Sequence, residues 1–321
     1  MVQAILIGIG AGAASALLFA SVASGALIAV LLFYLAPLPI LIAALGWSHW
    51  AALTAAVTAS VGLAIVFGGF FFLAFLVGIG LPAWWIGYLA LLARPTAGPT
   101  PASLEWYPVG QLVVWAAIIG ALIVIAAILS VGTDEESFRA ALRNGLERMF
   151  RLRDRTPGAP AQPLPVPNRL IDFLVAALPA AAAVLTTITN MLNLWLAARV
   201  VSVSGRLRRP MPELAAMRFP VHAPLLLAIA MAVSFLPGMI GIGGGVLAAA
   251  LLMAFAILGF AVLHTITRGM ASRMLVLGAI YAAVIIFGWP ILALSLVGLA
   301  DTAFDIRGRV ARRRGPPTTP T

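Results

Sequence analysis

Five polar side chains inside one apolar run carry the clearest chemical signal in the sequence: Thr186, Thr187, Thr189, Asn190 and Asn193. On a helix, Thr186, Asn190 and Asn193 fall at i, i+4 and i+7 on one face, with Thr189 beside them. In lipid, a carboxamide or hydroxyl must turn toward other protein groups, because an unpaired polar group in hydrocarbon costs several kcal/mol. Such a face does one of two things. It bonds neighbouring helices together, at ~1 kcal/mol per contact, or it lines a polar cavity for a small ligand. Thr186, Asn190 and Asn193 are therefore the candidate ligand-binding residues, with interhelical bonding as the plainer reading.

A second cluster closes the chain. Asp301 and Asp305 stand one helical turn apart, where an apolar run meets Arg307 and Arg309. Asp305 and Arg309 are also at i, i+4, in the favourable order. The four residues read as an interfacial, structural ion-pair network at the membrane edge, with a docking or gating element as the alternative. A proton relay would want a carboxylate deep in the bilayer, whereas both aspartates are expected near water.

The remaining chemistry is sparse. His49, His222 and His264 share no metal-ligand spacing, and His264 with Arg268, one turn apart, suits interfacial structure. Cys is absent, which removes disulfides and thiolate ligands. Gly241 to Gly245 could offer backbone N–H groups to an anion, but packing is the plainer role. Gly8-Ile-Gly10-Ala-Gly12 follows no strand, so it is a close-packing face and not a dinucleotide fingerprint. No Ser/His/Asp arrangement or phosphate-binding loop is present. No catalytic residue, metal or cofactor is expected, and the chain reads as a non-enzyme.

The elements that position these residues are set by lipid. Hydrophobic residues make up 63% of the chain and charged residues 9%, against about 25% charged in a soluble domain. The net charge is +10, and the 20 basic residues are all arginine. They lie in loops and at segment ends, which implies topology and contact with anionic lipids. Nucleic-acid binding would need a basic face interleaved with aromatics, and none exists.

Residues 1–93 contain no Asp, Glu, Lys or Arg. They divide at Gly, Pro and Trp into segments at 3–22, 24–46, 48–67 and 69–93, since one span needs roughly 20 residues. Pro37 and Pro39 should interrupt the second, and Pro82 should kink the fourth. A polar loop, 94–107, precedes a span at 108–131. In 134–152, Phe138, Leu142, Leu146, Met149 and Phe150 fall at helical spacing among charges, which predicts an amphipathic helix on the membrane surface or over the bundle. A Pro-rich linker, 156–168, follows. Further spans are expected at 169–203, 222–237 and 243–266, with the Gly238–Gly245 stretch as a turn. Gly288-Trp289-Pro290 splits 272–306 into two short spans.

The organisation is thus N-terminal membrane helices (1–131), an amphipathic helix and linker (132–168), C-terminal membrane helices (169–306) and an Arg-rich tail (307–321). The fold class is all-α, a polytopic transmembrane helical bundle of about eight to ten spans with one amphipathic extramembrane helix. Counting ten puts Arg94, the 199–218 arginines, Arg268, Arg273 and the tail on one side, cytoplasmic by the positive-inside rule. It leaves the six arginines between 139 and 155 outside. Counting nine violates two loops instead of one. Residues 291–306 should form one helix ending at the interface, with Asp301 at the membrane edge. Arg307, Arg309 and Arg312 to Arg314 should extend into the cytosol.

Three strings carry a family resemblance: Pro37-Leu38-Pro39; Asn193 to Arg199 leading to Phe219-Pro220; and Gly298 to Asp301 through Phe304-Asp305-Ile306-Arg307. With them the chain resembles the bacterial YybS-like membrane proteins, grouped as domain of unknown function 2232. That family is distantly similar to the substrate-binding subunits of energy-coupling-factor vitamin transporters. The resemblance implies a membrane helical fold with a small-molecule cavity and implies no substrate. The expectation is an integral protein of the bacterial inner membrane, transport-related with a cavity between helices. A non-transporting scaffold for envelope machinery is the alternative. The expected partners are the bilayer, anionic lipids at the arginine clusters and another membrane protein. A pocket lined by Thr186, Asn190 and Asn193 would favour transport, and a packed bundle would favour scaffolding.

Overall fold

The computed structural model describes residues 2–95, 104–153, 167–213 and 216–313. Most of the 156–168 linker, part of the 94–107 loop, and Arg314 with the rest of the tail lie outside the described residues. What is described is almost wholly helical, as the apolar composition requires where every backbone N–H must be answered within its own segment. Seven helical stretches are long and apolar enough to cross a membrane. The fold is an all-α polytopic bundle.

The chain opens with α1 (Val2–Ala20), α2 (Leu27–Tyr34), α3 (Pro37–Gly46) and α4 (His49–Phe67). Gly8 of α1 lies on Ala51 and Thr54 of α4, and Gly12 lies on Ala55 and Thr58. The numbers rise together, so the two helices run parallel at close range, as the small-residue face predicts. The expected interruption at Pro37 separates α2 from α3. The fourth segment is α5 (Gly69–Phe75), a π-helical stretch over Leu76–Gly80, and α6 (Leu81–Ala90). Pro82 lacks an N–H, and the wider turn just before it absorbs the missing bond. The polar loop contains a small hairpin that sequence alone did not indicate: Ala93–Pro95 pairs antiparallel with Leu104–Trp106, and Arg94 pairs with Glu105 at 2.8 Å.

Next come α7 (Val109–Val131), the amphipathic α8 (Glu135–Arg153) and α9 (Asn168–Val203). Asp134 caps α8, accepting from the Ser137 N–H at 2.8 Å and its hydroxyl at 2.6 Å. These bonds hold the Asp134 carboxyl below the usual carboxylate range. Of the two placements left open for α8, the structure shows the second. It covers one end of the bundle, burying Phe138 against the core of α7, α9 and α11 and Leu146 against Ile171 and Val175. Arg143 pairs with Asp172 across the α8–α9 contact.

The chain then forms α10 (Ala223–Ser234), α11 (Gly238–Ile266), α12 (Arg273–Phe287), α13 (Pro290–Phe304) and α14 (Ile306–Arg313). The Gly238–Gly245 stretch is not a turn, apart from Gly238 itself with φ 77°. Gly241 and Gly244 are helical and pack on the end of α10, where a Cβ would overlap backbone. The proposed single helix over 291–306 ends two residues early, because Asp305 takes a left-handed conformation at φ 47°.

Helices α11 and α13 run parallel and almost touch. Ser295 Oγ donates to the Leu252 carbonyl at 2.8 Å, and Gly298 and Gly259 face each other with no room for a side chain. This register has a consequence for the α12–α13 hairpin. Ser295 lies level with the middle of α11, and the Gly288-Trp289 turn, six to seven residues earlier, lies about 10 Å nearer the α11 start. Each arm has 15 residues, about 22 Å of helix, short of the roughly 30 Å hydrocarbon core. The hairpin starts and ends at one end of the bundle. Two short spans were expected over 272–306, split at Gly288-Trp289-Pro290, and the structure gives two helical arms joined there.

Replacing Gly298 with leucine forces α13 off α11. Gly298→Leu is expected to cost about 1–3 kcal/mol, read as a lower unfolding midpoint in detergent. Gly278→Leu on α12, which has open space around it, should leave the midpoint unchanged. An unchanged midpoint for Gly298→Leu would contradict the close contact.

Candidate functional site

The polar seam of α9 is built by helical spacing. Its buried stripe runs Ile171, Val175, Pro179, Ala183, Thr187, Asn190, Asn193, Ala197 and Val201. Asn190 and Asn193 lie on it, 5% and 1% exposed. Thr186 does not: it is half-buried beside the stripe, its hydroxyl bonded to the Ala182 carbonyl of its own helix. Thr187, completely buried, takes the inward place. The i, i+4, i+7 set and the i, i+3, i+6 set share both asparagines, and only packing against α7 at Gly120 selects between the two threonines.

The seam serves the proline break between α2 and α3. Leu38 N–H donates to the Leu35 carbonyl, so the Tyr34 carbonyl lacks the partner it would have in a continuous helix. Asn193 Nδ2 supplies one at 2.8 Å and also donates to Thr189. Ser15 on α1 donates likewise to the Ala36 carbonyl at 2.5 Å. Asn190 differs: its Nδ2 is buried with no hydrogen-bond partner, as is Asn193 Oδ1. Four clefts among the described residues lie at the β hairpin, under α8, beside Trp84 and Trp85, and between α11 and α12; none is lined by Thr186, Asn190 or Asn193.

The second cluster is the end opposite α8. Asp301 and Arg307 were expected near water, and the structure buries both. Each is 6% exposed. Asp301 Oδ1 accepts the Arg307 backbone N–H at 3.0 Å, and Oδ2 accepts Nε at 2.9 Å and Nη2 at 2.8 Å. Arg307 Nη2 also donates to the Met217 carbonyl at 2.6 Å. The reason is the left-handed turn at Asp305, which folds α14 back so that Arg307 returns to the carboxylate one turn earlier. Asp305 pairs with Arg218 at 3.0 Å and Arg312 at 3.8 Å. The bond from Arg218 holds its carboxyl below the usual range. The expected partner Arg309 instead lies over the Phe304 ring at 6.0 Å.

Other arginines gather at this end. Arg206 stacks on Trp47 at 4.8 Å, beside the α3–α4 turn. Arg209 donates to the Ala90 carbonyl at 3.3 Å, and burial pushes its guanidinium below its ordinary pKa. Arg268, Arg273 and Glu213 line the α11–α12 cleft. Because α1 runs parallel to α4, its first turn lies at this end too. The Met217 carbonyl and the Trp47 ring were not legible as partners, since neither carries a charge or falls in a spacing pattern.

The two asparagines make a direct comparison. Asn193→Leu leaves the Tyr34 carbonyl without its donor and is expected to cost about 1–3 kcal/mol. Asn190→Leu removes an unpaired amide and should leave stability unchanged or raised. Equilibrium unfolding of the two variants checks this, and equal losses would contradict the assigned bonds.

Residues 13–302 match a family model described as a predicted membrane protein, DUF2232. No curated protein and no solved structure matches. The matched span takes in the α9 seam, the α11–α12 cleft and Asp301, and stops short of Arg307. The chain belongs to the DUF2232 family of predicted membrane proteins.

Proposed function

We propose that this chain is a bacterial inner-membrane protein that works as a non-transporting scaffold, with its arginine end in the cytoplasm. The observation that carries the reading is what the membrane-embedded polar groups do. Asn193, Ser15 and Ser295 donate to backbone carbonyls of neighbouring helices, and Thr187 to its own. A solute path needs such groups facing a cavity, whereas these are bonded to backbone carbonyls, three of them between helices. Orientation follows from charge: arginines of the hairpin, the 204–222 loop, the α11–α12 link and α14 collect at one end. At the other end Arg139 and Arg143 are paired with Glu135 and Asp172. The arginine end would meet anionic lipid and an acidic face of a membrane-protein partner. A non-enzymatic role belongs to the same proposal.

One observation favours a second reading, a small-molecule site between the helices. Asn190 Nδ2 and Asn193 Oδ1 are buried with free hydrogen-bonding capacity, which a ligand would fill.

The chain has no cysteine, so single cysteines report sidedness directly. Arg312→Cys should react with a membrane-impermeant maleimide from the cytoplasmic side only, and Asn144→Cys on α8 from the other side only. Reversed labelling would overturn the orientation. A thermal-shift screen of the unaltered protein against soluble metabolites separates the two readings. Scaffolding predicts no stabilisation; a shift that Asn190→Leu abolishes would establish the ligand site instead.

A further inference from the structure

The cleft between the end of α11 and the start of α12 is not accounted for by the packing described above. It has a volume of about 380 Å³ and is lined by Glu213, Phe260, His264, Arg268, Arg273 and Tyr281, among others. Its composition is graded. Arg268 follows the end of α11 and Arg273 opens α12, so the charged lining lies at that end, two guanidiniums to one carboxylate among the described residues. One turn inward, His264 Nδ1 lies 3.1 Å from the Phe260 carbonyl. A carbonyl only accepts, so Nδ1 carries the proton and Nε2 is left as the ring's other polar atom. Deeper still, Tyr281 stacks on Phe260 at 4.9 Å and 11° between planes, and the floor continues into Ile257.

The cleft is also open sideways. No residue of α12 is buried, and Met274 and Leu275 are 85% and 77% exposed. A helix that apolar and that uncovered borders lipid along its length. The cleft therefore joins a cationic mouth to an apolar, aromatic floor with lateral access from the bilayer.

We propose that this cleft binds one anionic phospholipid, its phosphate on Arg268 and Arg273 and the start of its acyl chains along Phe260 and Tyr281. Guanidinium suits phosphate through paired N–H donors and is readily desolvated at an interface. Glu213 accepts from headgroup hydroxyls, which favours a headgroup that has donors and no cation of its own, as in phosphatidylglycerol. A free phosphate would use the mouth and leave the floor empty. The inference does not depend on whether the protein is a scaffold or a carrier.

The test uses the full chain purified in detergent, with dioleoyl phosphatidylglycerol titrated and adducts counted by native mass spectrometry. Loss of a charge-assisted contact predicts that Arg273→Gln binds this lipid at least about tenfold more weakly. Arg309→Gln, an arginine of the same end but outside the cleft, should bind as the unaltered chain does. Dioleoyl phosphatidylcholine should bind weakly, and inorganic phosphate should not displace the lipid. Unchanged binding by Arg273→Gln would overturn the site. Equal binding of phosphatidylcholine would overturn the headgroup assignment, and full displacement by inorganic phosphate would show a soluble-anion site. A photoactivatable phosphatidylglycerol on the unaltered chain guards against a misfolded variant: cross-links should map to 257–281, and cross-links found only elsewhere would overturn the proposal.

Discussion

The arginine end depends on one buried ion pair. Removing a carboxylate and a guanidinium from water costs several kcal/mol each, and their attraction repays this only when every remaining hydrogen-bonding position is filled. The Asp301–Arg307 pair answers much of that demand, with three contacts from one residue to the carboxylate and one bond onward to the Met217 carbonyl. Much else follows from it. The chain must reverse within six residues, so Asp305 adopts the only left-handed non-glycine conformation among the described residues, one that aspartate tolerates better than most. The 204–222 loop is held down at Met217 and Phe219, both buried. The close approach of α13 to α11 at Gly298 sets the depth at which Asp301 arrives.

The same rule, that a polar group in a membrane protein must be answered, explains the rest of the interior. Two prolines break the second segment, and the carbonyls at the break are met by Ser15 and Asn193. At the opposite end, Glu135 of α8 accepts the Gly238 N–H at the first turn of α11 with a 3.0 Å bond, adding a negative charge where a helix start favours one. Polar side chains are thereby committed to helix breaks, helix starts and helix contacts. Exceptions remain: Asn190 Nδ2, Asn193 Oδ1 and the indole nitrogens of Trp47 and Trp84 are buried without a hydrogen-bond partner.

Much of this was legible in the sequence because lipid imposes simple rules. Charge-free runs marked the membrane segments, Gly8 and Gly12 marked a close contact, and Pro37 and Pro82 marked an interruption and a widened turn. The amphipathic spacing of Phe138 and Leu146 marked α8. The inward direction of Asn190 and Asn193 was readable from the cost of an unpaired amide, although spacing alone could not choose Thr187 over Thr186. What was not legible depended on tertiary register. Asp301 was placed near water because arginines follow it, and nothing local shows that the chain folds back at Asp305. The depth of the α12–α13 hairpin depends on which turn of α11 meets Ser295, and a count of apolar residues does not contain that information.

Asp301 and Arg307 act as one unit that fixes the arginine end. A double-mutant cycle in equilibrium unfolding tests it most directly. Asp301→Leu and Arg307→Met should each cost about 3–5 kcal/mol, since each strands a buried partner. The double variant Asp301→Leu with Arg307→Met should recover most of that loss, giving a coupling energy well above the few tenths expected of independent sites. Small single losses that simply add would contradict the account.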